Sequence, residues 1–399
     1  GDGVCASAGD GSCTLRAALE EANATSVDKR IIISFSVTGT ISPASQLPSV
    51  NHDYISILGP GADNLNIDGT SLGSDGEGFR ITSNNNTISN LKIANVFNGV
   101  RLFSPGEGNT IESNTILGIG DSDVDQSFGI DVESNNNIIT QNSISNFTYG
   151  INIKGSQNII TQNTVSGNNG FGIHLYQTSG GNTVSSNTIS DSEHMGIQVA
   201  ETDGNIVNLN TITDVPSTGI NLSEANANTI EANNISGSPN GILISSNSTN
   251  NEIHLNTLTE NGTGINLNTD SNDNNIFSNT ISNNSLNGIS IDNSTGNEIT
   301  SNNISSNILN GIYLNDANGN AIDTNTISGH GVSVDGFWLA GVSIMKYGDT
   351  SYDGVGVEMG DDSIINMEKI VYSSDMQNLF SVVLEGNNPD KTLSINYSE

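Results

Sequence analysis

The 399-residue sequence has few positive charges, since 10 Lys and Arg stand against 43 Asp and Glu and the formal net charge is −33. Proteins that bind nucleic acid present clustered Lys and Arg to the phosphates, so this composition excludes nucleic acid as an expected partner. Attraction to an anionic membrane surface is disfavoured for the same reason. No stretch reaches the roughly 18 consecutive apolar residues of a spanning helix, so no membrane span is expected.

Cysteine is also scarce, because the chain has only Cys5 and Cys13. Two thiols are too few for a zinc site made of cysteine alone. Their spacing suits a small disulfide loop, and disulfides are typical of an oxidising compartment. No signal peptide is visible, and a start at Gly1 is typical of a mature, processed end. We therefore expect a secreted or cell-surface protein.

Short aliphatic blocks repeat through the middle of the chain. One block, Gly-Ile-x-Leu or a close variant, recurs every 21 to 24 residues from Gly129 to Gly311. A second block, Asn-x-Ile-x-x-Asn-x-Ile, lies between successive copies, as at residues 109–116. Aliphatic residues two apart share one face of a strand, and Asn or Gly marks each corner. This pattern predicts coils that stack on one another and are joined by right-handed crossovers. Residues 78–330 are therefore predicted to form an all-β, right-handed parallel β-helix.

The Asn at the sixth position of the second block recurs once in every coil. We expect it to occupy a bend in the left-handed backbone region, with its amide bonded to the next coil. Such side chains should stack into a structural ladder rather than bind a ligand. The predicted ladder consists of Asn114, Asn142, Asn163, Asn187, Asn210, Asn233, Asn256, Asn279, Asn302 and Asn325.

The repeats resemble the right-handed parallel β-helix repeat proteins, the broad pectate-lyase-like superfamily that includes NosD-type proteins. The resemblance implies the fold but no single activity, because lyases, hydrolases, epimerases, adhesins and phage spikes share this frame. Residues 13–18, Cys-Thr-Leu-Arg-Ala-Ala, are similar to a Cys-Ser-Leu-Arg-Glu-Ala-type motif of secreted bacterial proteins, departing at the second and fifth positions. That second resemblance implies a surface-displayed, adhesin-like protein and assigns no catalytic residue.

The two ends differ from the repeats. Residues 1–77 are predicted to form an N-terminal cap, with the disulfide loop, the first coils and an amphipathic helix over residues 13–23. Leu15, Leu19 and Ala22 share one face of that helix with Ala18, and Thr14 is a candidate N-cap. Residues 331–399 lack the Asn pattern and are predicted to form a β-rich cap. The alternative is an assembly segment, so that copies self-associate through their end caps.

An acidic insertion interrupts the repeats between Gly99 and Gly129. Its acids alternate like the start of a calcium loop, which offers six to eight oxygens from a flexible turn. The predicted calcium ligands are Asp121, Asp123, Asp125 and Glu133, although Gln126 stands where such loops have glycine. The alternative interpretation is a solvated acidic loop without metal.

Stacking should align the outward-facing middle residues of the Gly-x-x-Leu-type strands. In chain order these are Arg80, Arg101, Asp131, Asn152, His174, Gln198, Asn221, Leu243, Asn266, Ser290 and Tyr313. Arg80, Arg101 and Asp131 should therefore lie together beside the insertion. Pectate-lyase-like enzymes resemble this arrangement, with Ca²⁺ neutralising a uronate carboxylate and Arg80 or Arg101 here acting as the base. The alternative is an ordinary surface ladder of salt bridges.

Three functions stay open from the sequence. The favoured one is a non-catalytic extracellular or cell-surface scaffold, adhesin-like or a subunit of a filament or surface layer. The others are a carbohydrate-binding module and a Ca²⁺-dependent polysaccharide lyase that acts on an acidic glycan. A groove with aromatic side chains and convergent charged groups would favour the last two. Aromatic residues make up only 5% of the chain, so the sequence leans away from an enzyme.

Overall fold

A computed structural model describes residues 13–26, 29–120, 126–177, 180–315, 317, 319–328 and 330, with short strands between 333 and 397. The chain divides into two compact units, residues 1–197 and residues 198–399. In each unit, successive coils stack through parallel strands, and these strands form three sheets. The predicted all-β, right-handed parallel β-helix is confirmed.

The first unit, residues 1–197, contains the following strands. Those of its first sheet are Ile31–Ser34, Ile55–Leu58, Thr87–Ser89, Thr110–Glu112, Ile138–Thr140, Ile159–Thr161 and Thr183–Ser185. Those of its second sheet are Gly39–Ile41, Leu65–Asp68, Lys92–Val96, Thr115–Gly118, Ser143–Ser145, Thr164–Ser166 and Thr188–Ser190. Those of its third sheet are Glu77–Ile81, Asn98–Leu102, Phe128–Val132, Tyr149–Ile153 and Phe171–Tyr176, and the strand Met195–Ala200 crosses the boundary between the units.

The second unit, residues 198–399, repeats this order. The strands of its first sheet are Ile206–Asn208, Thr229–Glu231, Glu252–His254, Asn275–Phe277, Glu298–Thr300, Ala321–Asp323, Ile364–Met367 and Ile395–Tyr397. Those of its second sheet are Thr211–Thr213, Asn234–Ser236, Thr257–Thr259, Thr280–Ser282, Asn303–Ser305, Thr326–Ser328 and Lys369–Ile370. Those of its third sheet are Thr218–Ser223, Asn240–Ser245, Thr263–Leu267, Ile289–Asp292, Ile312–Asn315 and Val342–Met345.

The core of each unit consists of columns of aliphatic side chains that lie in register from coil to coil. In the first sheet Ile111 pairs with Ile139, and Ile139 pairs with Ile160. All three are fully buried, and each is flanked by outward residues that are not. Burial of one such side chain contributes about 2 kcal/mol. Because a single coil cannot bury its own aliphatic side chains, the coils are stable only when they stack.

One short helix lies near the N-terminus, as the sequence predicts. It spans Leu15–Asn23, and the hydroxyl of Thr14 accepts a hydrogen bond from the backbone N–H of Ala17 at 3.2 Å. Leu15, Leu19 and Ala22 are its buried residues. Asn23 fixes the helix to the first coils, because its Nδ2 donates to the Ser49 carbonyl at 2.7 Å. Residues 70–72 form a single 3₁₀ turn.

Within each unit, the predicted asparagines lie inside the coils and form a hydrogen-bonded ladder. Asn142, which is buried, accepts bonds at Oδ1 from the backbone N–H and Nδ2 of Asn114, and its own Nδ2 donates to Oδ1 of Asn163 at 3.0 Å. Nδ2 of Asn142 also donates to the Ile111 carbonyl at 2.8 Å. Each asparagine therefore joins the coils before and after it.

The left-handed bend does not fall on these asparagines, so that expectation is wrong. It falls one residue earlier, as at Gln141 and Leu255, which both have a φ near 57°. An asparagine whose amide points inward is committed to the ladder, so the exposed residue before it takes the strained conformation.

A second ladder runs along the first Asn of the same block. The backbone N–H of Asn137 donates to Oδ1 of Asn158 at 2.8 Å, and the pattern repeats in both units. Its members in the first unit are Asn86, Asn109, Asn137, Asn158 and Asn182, and those in the second unit are Asn205, Asn228, Asn251, Asn274, Asn297 and Asn320.

Glycine at the start of the third-sheet strands allows the coils to approach. A Cβ atom at Gly241 would lie 2.6 Å from the Gly264 carbonyl oxygen and 3.0 Å from Cδ2 of Leu258. The first contact is with backbone of the next coil, which cannot move without separating the strands. The repeat therefore requires glycine at this position.

The region after residue 330 is described only at its strands. Ser333–Val334 pairs antiparallel with Phe337–Trp338, and the other short strands extend the three sheets of the second unit. The choice between an end cap and an assembly segment depends on residues outside the described part of the chain, and it stays a prediction. The same holds for the disulfide, because Cys5 lies outside the described residues.

Candidate functional site

The outer face of the third sheet in the first unit gathers aromatic and charged side chains, and we call it the ring–ion surface. Its members come from five successive coils, because the strands from Glu77–Ile81 to Phe171–Tyr176 place equivalent residues side by side. The residues of the ring–ion surface are Glu77, Arg80, Arg101, Phe103, Phe128, Asp131, Glu133, Tyr149, Asn152, Lys154, Phe171, His174 and Tyr176.

Three rings form a column on this surface, each from the residue that precedes the glycine of its strand. Phe128 stacks on Tyr149 with ring centroids 5.2 Å apart, and Tyr149 stacks on Phe171 at 5.3 Å. His174 lies beside this column, 5.0 Å from the ring of Phe171 and 5.3 Å from that of Tyr176. The result is a continuous apolar patch with phenol and imidazole groups at its edge.

The charged residues at the other end of the surface form a chain of ion pairs. Arg80 binds Glu77 through two hydrogen bonds of 2.8 Å, and Arg101 reaches the same carboxylate at 3.2 Å. Arg101 also pairs with Asp131 at 2.9 Å and with Glu133 at 3.4 Å. The carboxylates of Glu77 and Asp131 are almost completely covered, whereas the Arg80 side chain is 43% exposed.

The ring of Phe103 packs against the guanidinium groups of both arginines. The guanidinium carbon of Arg80 lies 4.8 Å from the Phe103 centroid, and that of Arg101 lies 4.5 Å from it. Arg101 also lies 6.0 Å from the ring of Phe128. These distances are within the range of cation–π attraction, so the arginines are held in place by rings as well as carboxylates.

A hydrogen-bond chain continues from the ion pairs to the imidazole. Nδ2 of Asn152 donates to Oδ1 of Asp131 at 2.8 Å, which leaves Oδ1 of Asn152 as the acceptor for Nδ1 of His174 at 3.0 Å. The amide orientation therefore places the imidazole proton on Nδ1. Nε2 of His174 has no hydrogen-bond partner among the described residues and carries the lone pair.

The environment shifts the protonation of several groups. Burial and then the charge of Lys154 lower the pKa of His174 to about 4, so its imidazole is neutral at pH 7. The hydrogen bond to Glu77 raises the pKa of Arg80 despite its partial burial. Burial opposes ionisation of Glu77, but Arg80 and then Arg101 outweigh it and lower the pKa of that carboxyl. Burial and then Tyr176 raise the pKa of the Tyr149 phenol.

The sequence-predicted residues are therefore partly brought together. Arg80, Arg101 and Asp131 lie on one surface, with Glu77 between the two arginines. The calcium ligands Asp121, Asp123 and Asp125 lie outside the described residues, and Glu133 lies 3.4 Å from Arg101 and 3.7 Å from Lys154. Calcium binding stays a prediction.

The ring column and Glu77 were not among the predicted site residues. Their signal in the sequence is the aromatic residue directly before the strand glycine in three successive coils, at Phe128, Tyr149 and Phe171. The corresponding positions in the second unit are Thr218, Asn240, Thr263, Asn287 and Asn310, so the repeats of that unit have no aromatic residue there.

Two family models match the chain. Residues 119–270 match the family described as "Periplasmic copper-binding protein (NosD)", and residues 195–355 match the family described as "Right handed beta helix region". A comparison with curated proteins found no match. In the described part of the chain, no group of three or more His, Cys, Asp or Glu is placed to hold a metal ion.

Several solved structures resemble the chain at low sequence identity. The Dettilon tailspike protein is 17% identical with a TM-score of 0.53, and the match covers 76% of this chain and 61% of the tailspike. DFA-IIIase from Arthrobacter chlorophenolicus A6, without its lid, is 13% identical with a TM-score of 0.52, and the match covers 77% of this chain and 87% of that one. The periplasmic alginate epimerase AlgG is 15% identical with a TM-score of 0.43, covering 92% and 84%.

None of the described helices is both long enough and apolar enough to cross a membrane.

Proposed function

This chain belongs to the right-handed parallel β-helix repeat proteins, whose cores are closed by side chains, and we propose that it therefore acts through an outer sheet face. The proposed function is that of a non-catalytic scaffold that binds a glycan on its ring–ion surface. The proposal unites two of the functions that the sequence leaves open. The solenoid supplies a rigid frame, and the first unit supplies the binding face. We further propose that it works outside the cytoplasm, where the pair Cys5 and Cys13 would form a disulfide.

The ring column is the observation that supports this proposal most. A sugar ring presents C–H groups on its faces and hydroxyls around its edge, so its site needs apolar rings beside fixed polar groups. Tyr149, Phe171 and Tyr176 supply rings, and His174, which Asn152 holds in place, supplies a polar atom between them. A chain with 5% aromatic residues places these rings on one surface, which a purely structural face does not require.

The ion pairs support binding rather than turnover. A proton-accepting arginine needs a lowered pKa, whereas Glu77 raises the pKa of Arg80. Arg101 is held by Glu77, Asp131 and Glu133 at once, which fixes its position. The assignment of Arg80 or Arg101 as a lyase base stays a prediction that this geometry does not favour.

Binding to a glycan array, followed by calorimetry on the best ligand, tests the proposal. Replacing both Tyr149 and Phe171 with alanine should weaken binding by at least about tenfold, since each removes part of the apolar patch. Tyr313→Ala is the matched control, because Tyr313 is an aromatic residue on the outer face of the third sheet in the second unit. It should leave binding within about twofold.

Absence of binding by the wild-type protein to every glycan would overturn the proposal. Equal losses in the Tyr149→Ala, Phe171→Ala double variant and in Tyr313→Ala would also overturn it, because the site would then lie elsewhere. Circular dichroism of each variant checks that the coils remain folded. Release of shorter or unsaturated products during prolonged incubation would contradict the non-catalytic part.

A further inference from the structure

We infer that the glycan recognised by the ring–ion surface is uncharged and that it binds as a donor of hydroxyl hydrogen bonds to His174. This inference rests on the proposed function and adds the chemical class of the ligand to it. It departs from the acidic glycan that the sequence suggests for a lyase.

The charges of the surface already neutralise one another. Glu77, Asp131 and Glu133 are opposed by Arg80, Arg101 and Lys154, and every one of these groups has an ionic partner within the surface. A carboxylate or sulfate of a ligand would have to compete with Glu77 for Arg80, where the two hydrogen bonds of 2.8 Å are already made. The exchange of one ion pair for another yields little net affinity.

The hydrogen-bond chain ends on an acceptor and not on a donor. Asp131 accepts from Asn152, Asn152 accepts from Nδ1 of His174, and Nε2 of His174 is left with a lone pair. The imidazole stays neutral at pH 7, because burial keeps its pKa at about 4. A sugar hydroxyl can donate to Nε2, whereas an ionised carboxylate or sulfate has no proton to give, so the part of the ligand that lies against His174 carries a hydroxyl rather than an acid group.

The charge of the whole chain acts in the same direction. A formal net charge of −33 repels a polyanion over distances set by the ionic strength, and the surface has no unpaired cation among the described residues to offset it. An uncharged glycan does not experience this repulsion.

The experiment compares three sets of oligosaccharides of equal length: neutral ones, oligogalacturonates and sulfated glycosaminoglycan fragments. Affinities are measured by calorimetry with the full chain at low salt and at about 0.5 M salt. The neutral set should contain the best ligand, and its affinity should change by less than about twofold with salt.

His174→Phe keeps a ring in the stack and removes the acceptor, so it should weaken neutral binding by about tenfold. His254→Phe, at an imidazole that stacks on Phe277 in the second unit, is the matched control.

The outcomes separate the two proposals. Tight, salt-sensitive binding of the acidic or sulfated sets alone would overturn this inference and leave glycan binding intact. Neutral binding that His174→Phe does not weaken would overturn the assigned acceptor. Failure of all three sets to bind would count against the proposed function itself.

Discussion

Replacement of one ladder asparagine tests how the coils are held together. Asn256 is fully buried, and its Oδ1 accepts bonds from the backbone N–H and Nδ2 of Asn233 at 2.9 and 3.0 Å. Its Nδ2 donates to the Ile230 carbonyl at 2.8 Å and to Oδ1 of Asn279 at 3.0 Å. Asn256→Ala removes all four bonds and leaves the Asn233 N–H and the Ile230 carbonyl without these partners. At about 1–3 kcal/mol for each buried group, the expected destabilisation is about 2–6 kcal/mol.

Urea unfolding followed by circular dichroism measures this loss. Thr257→Ala is the control, because Thr257 is the next residue and points to solvent, where substitutions stay within about 0.5 kcal/mol. Asn256→Asp keeps the acceptor but turns the donor into an oxygen that faces the Ile230 carbonyl. It should be at least as destabilising as alanine at pH 7. If Asn256→Ala unfolds at the same urea concentration as Thr257→Ala, the ladder does not stabilise the solenoid and the reasoning is refuted.

Gly241→Ala should lower the free energy of unfolding in urea by more than about 1 kcal/mol, because its Cβ would lie 2.6 Å from the Gly264 carbonyl oxygen. An unchanged urea midpoint would contradict the close approach. Leu243→Asn should raise the midpoint relative to Leu243→Ala, since Asn221, the neighbour of Leu243 in register, has a buried Oδ1 without a hydrogen-bond partner. Since burial lowers the pKa of His174 from 6.5 to about 4, the unfolded chain binds more protons between these values, and stability should fall by up to about 3 kcal/mol as the pH drops through this window. Urea titrations from pH 7 to pH 4 should show this slope in the wild type and a weaker slope in His174→Asn; parallel curves would contradict it.

The fold was predictable because its determinants are local and repeated. Each coil carries its own pairs of aliphatic residues two positions apart. The repetition of these pairs about every 23 residues therefore predicts stacked strands without knowledge of distant contacts. The N-terminal helix was predictable for a similar reason, since Thr14 and the apolar spacing of Leu15 and Leu19 lie within a few residues. The left-handed bends were misplaced because the preference of asparagine for that conformation is weaker than the bonds of a buried amide.

The candidate site was harder to predict because its members are single residues separated by whole coils. Arg80, Arg101 and Asp131 could be aligned from the glycine spacing. Glu77 and Tyr149 are each the first residue of a third-sheet strand, a position for which the repeat pattern predicts no outward contact. That the carboxylate of Glu77 lies between two arginines depends on side-chain direction, which spacing does not give.

The asparagine ladders also have a direction. In each step the backbone N–H of one coil is satisfied by the side chain of the coil that comes later in the chain, as Asn233 is by Asn256 and Asn256 by Asn279. A ribosome makes the earlier coil first, before the side chain that satisfies its ladder N–H exists. Each added coil therefore satisfies the ladder N–H of the coil before it, so within a unit the ladder is completed one neighbour at a time.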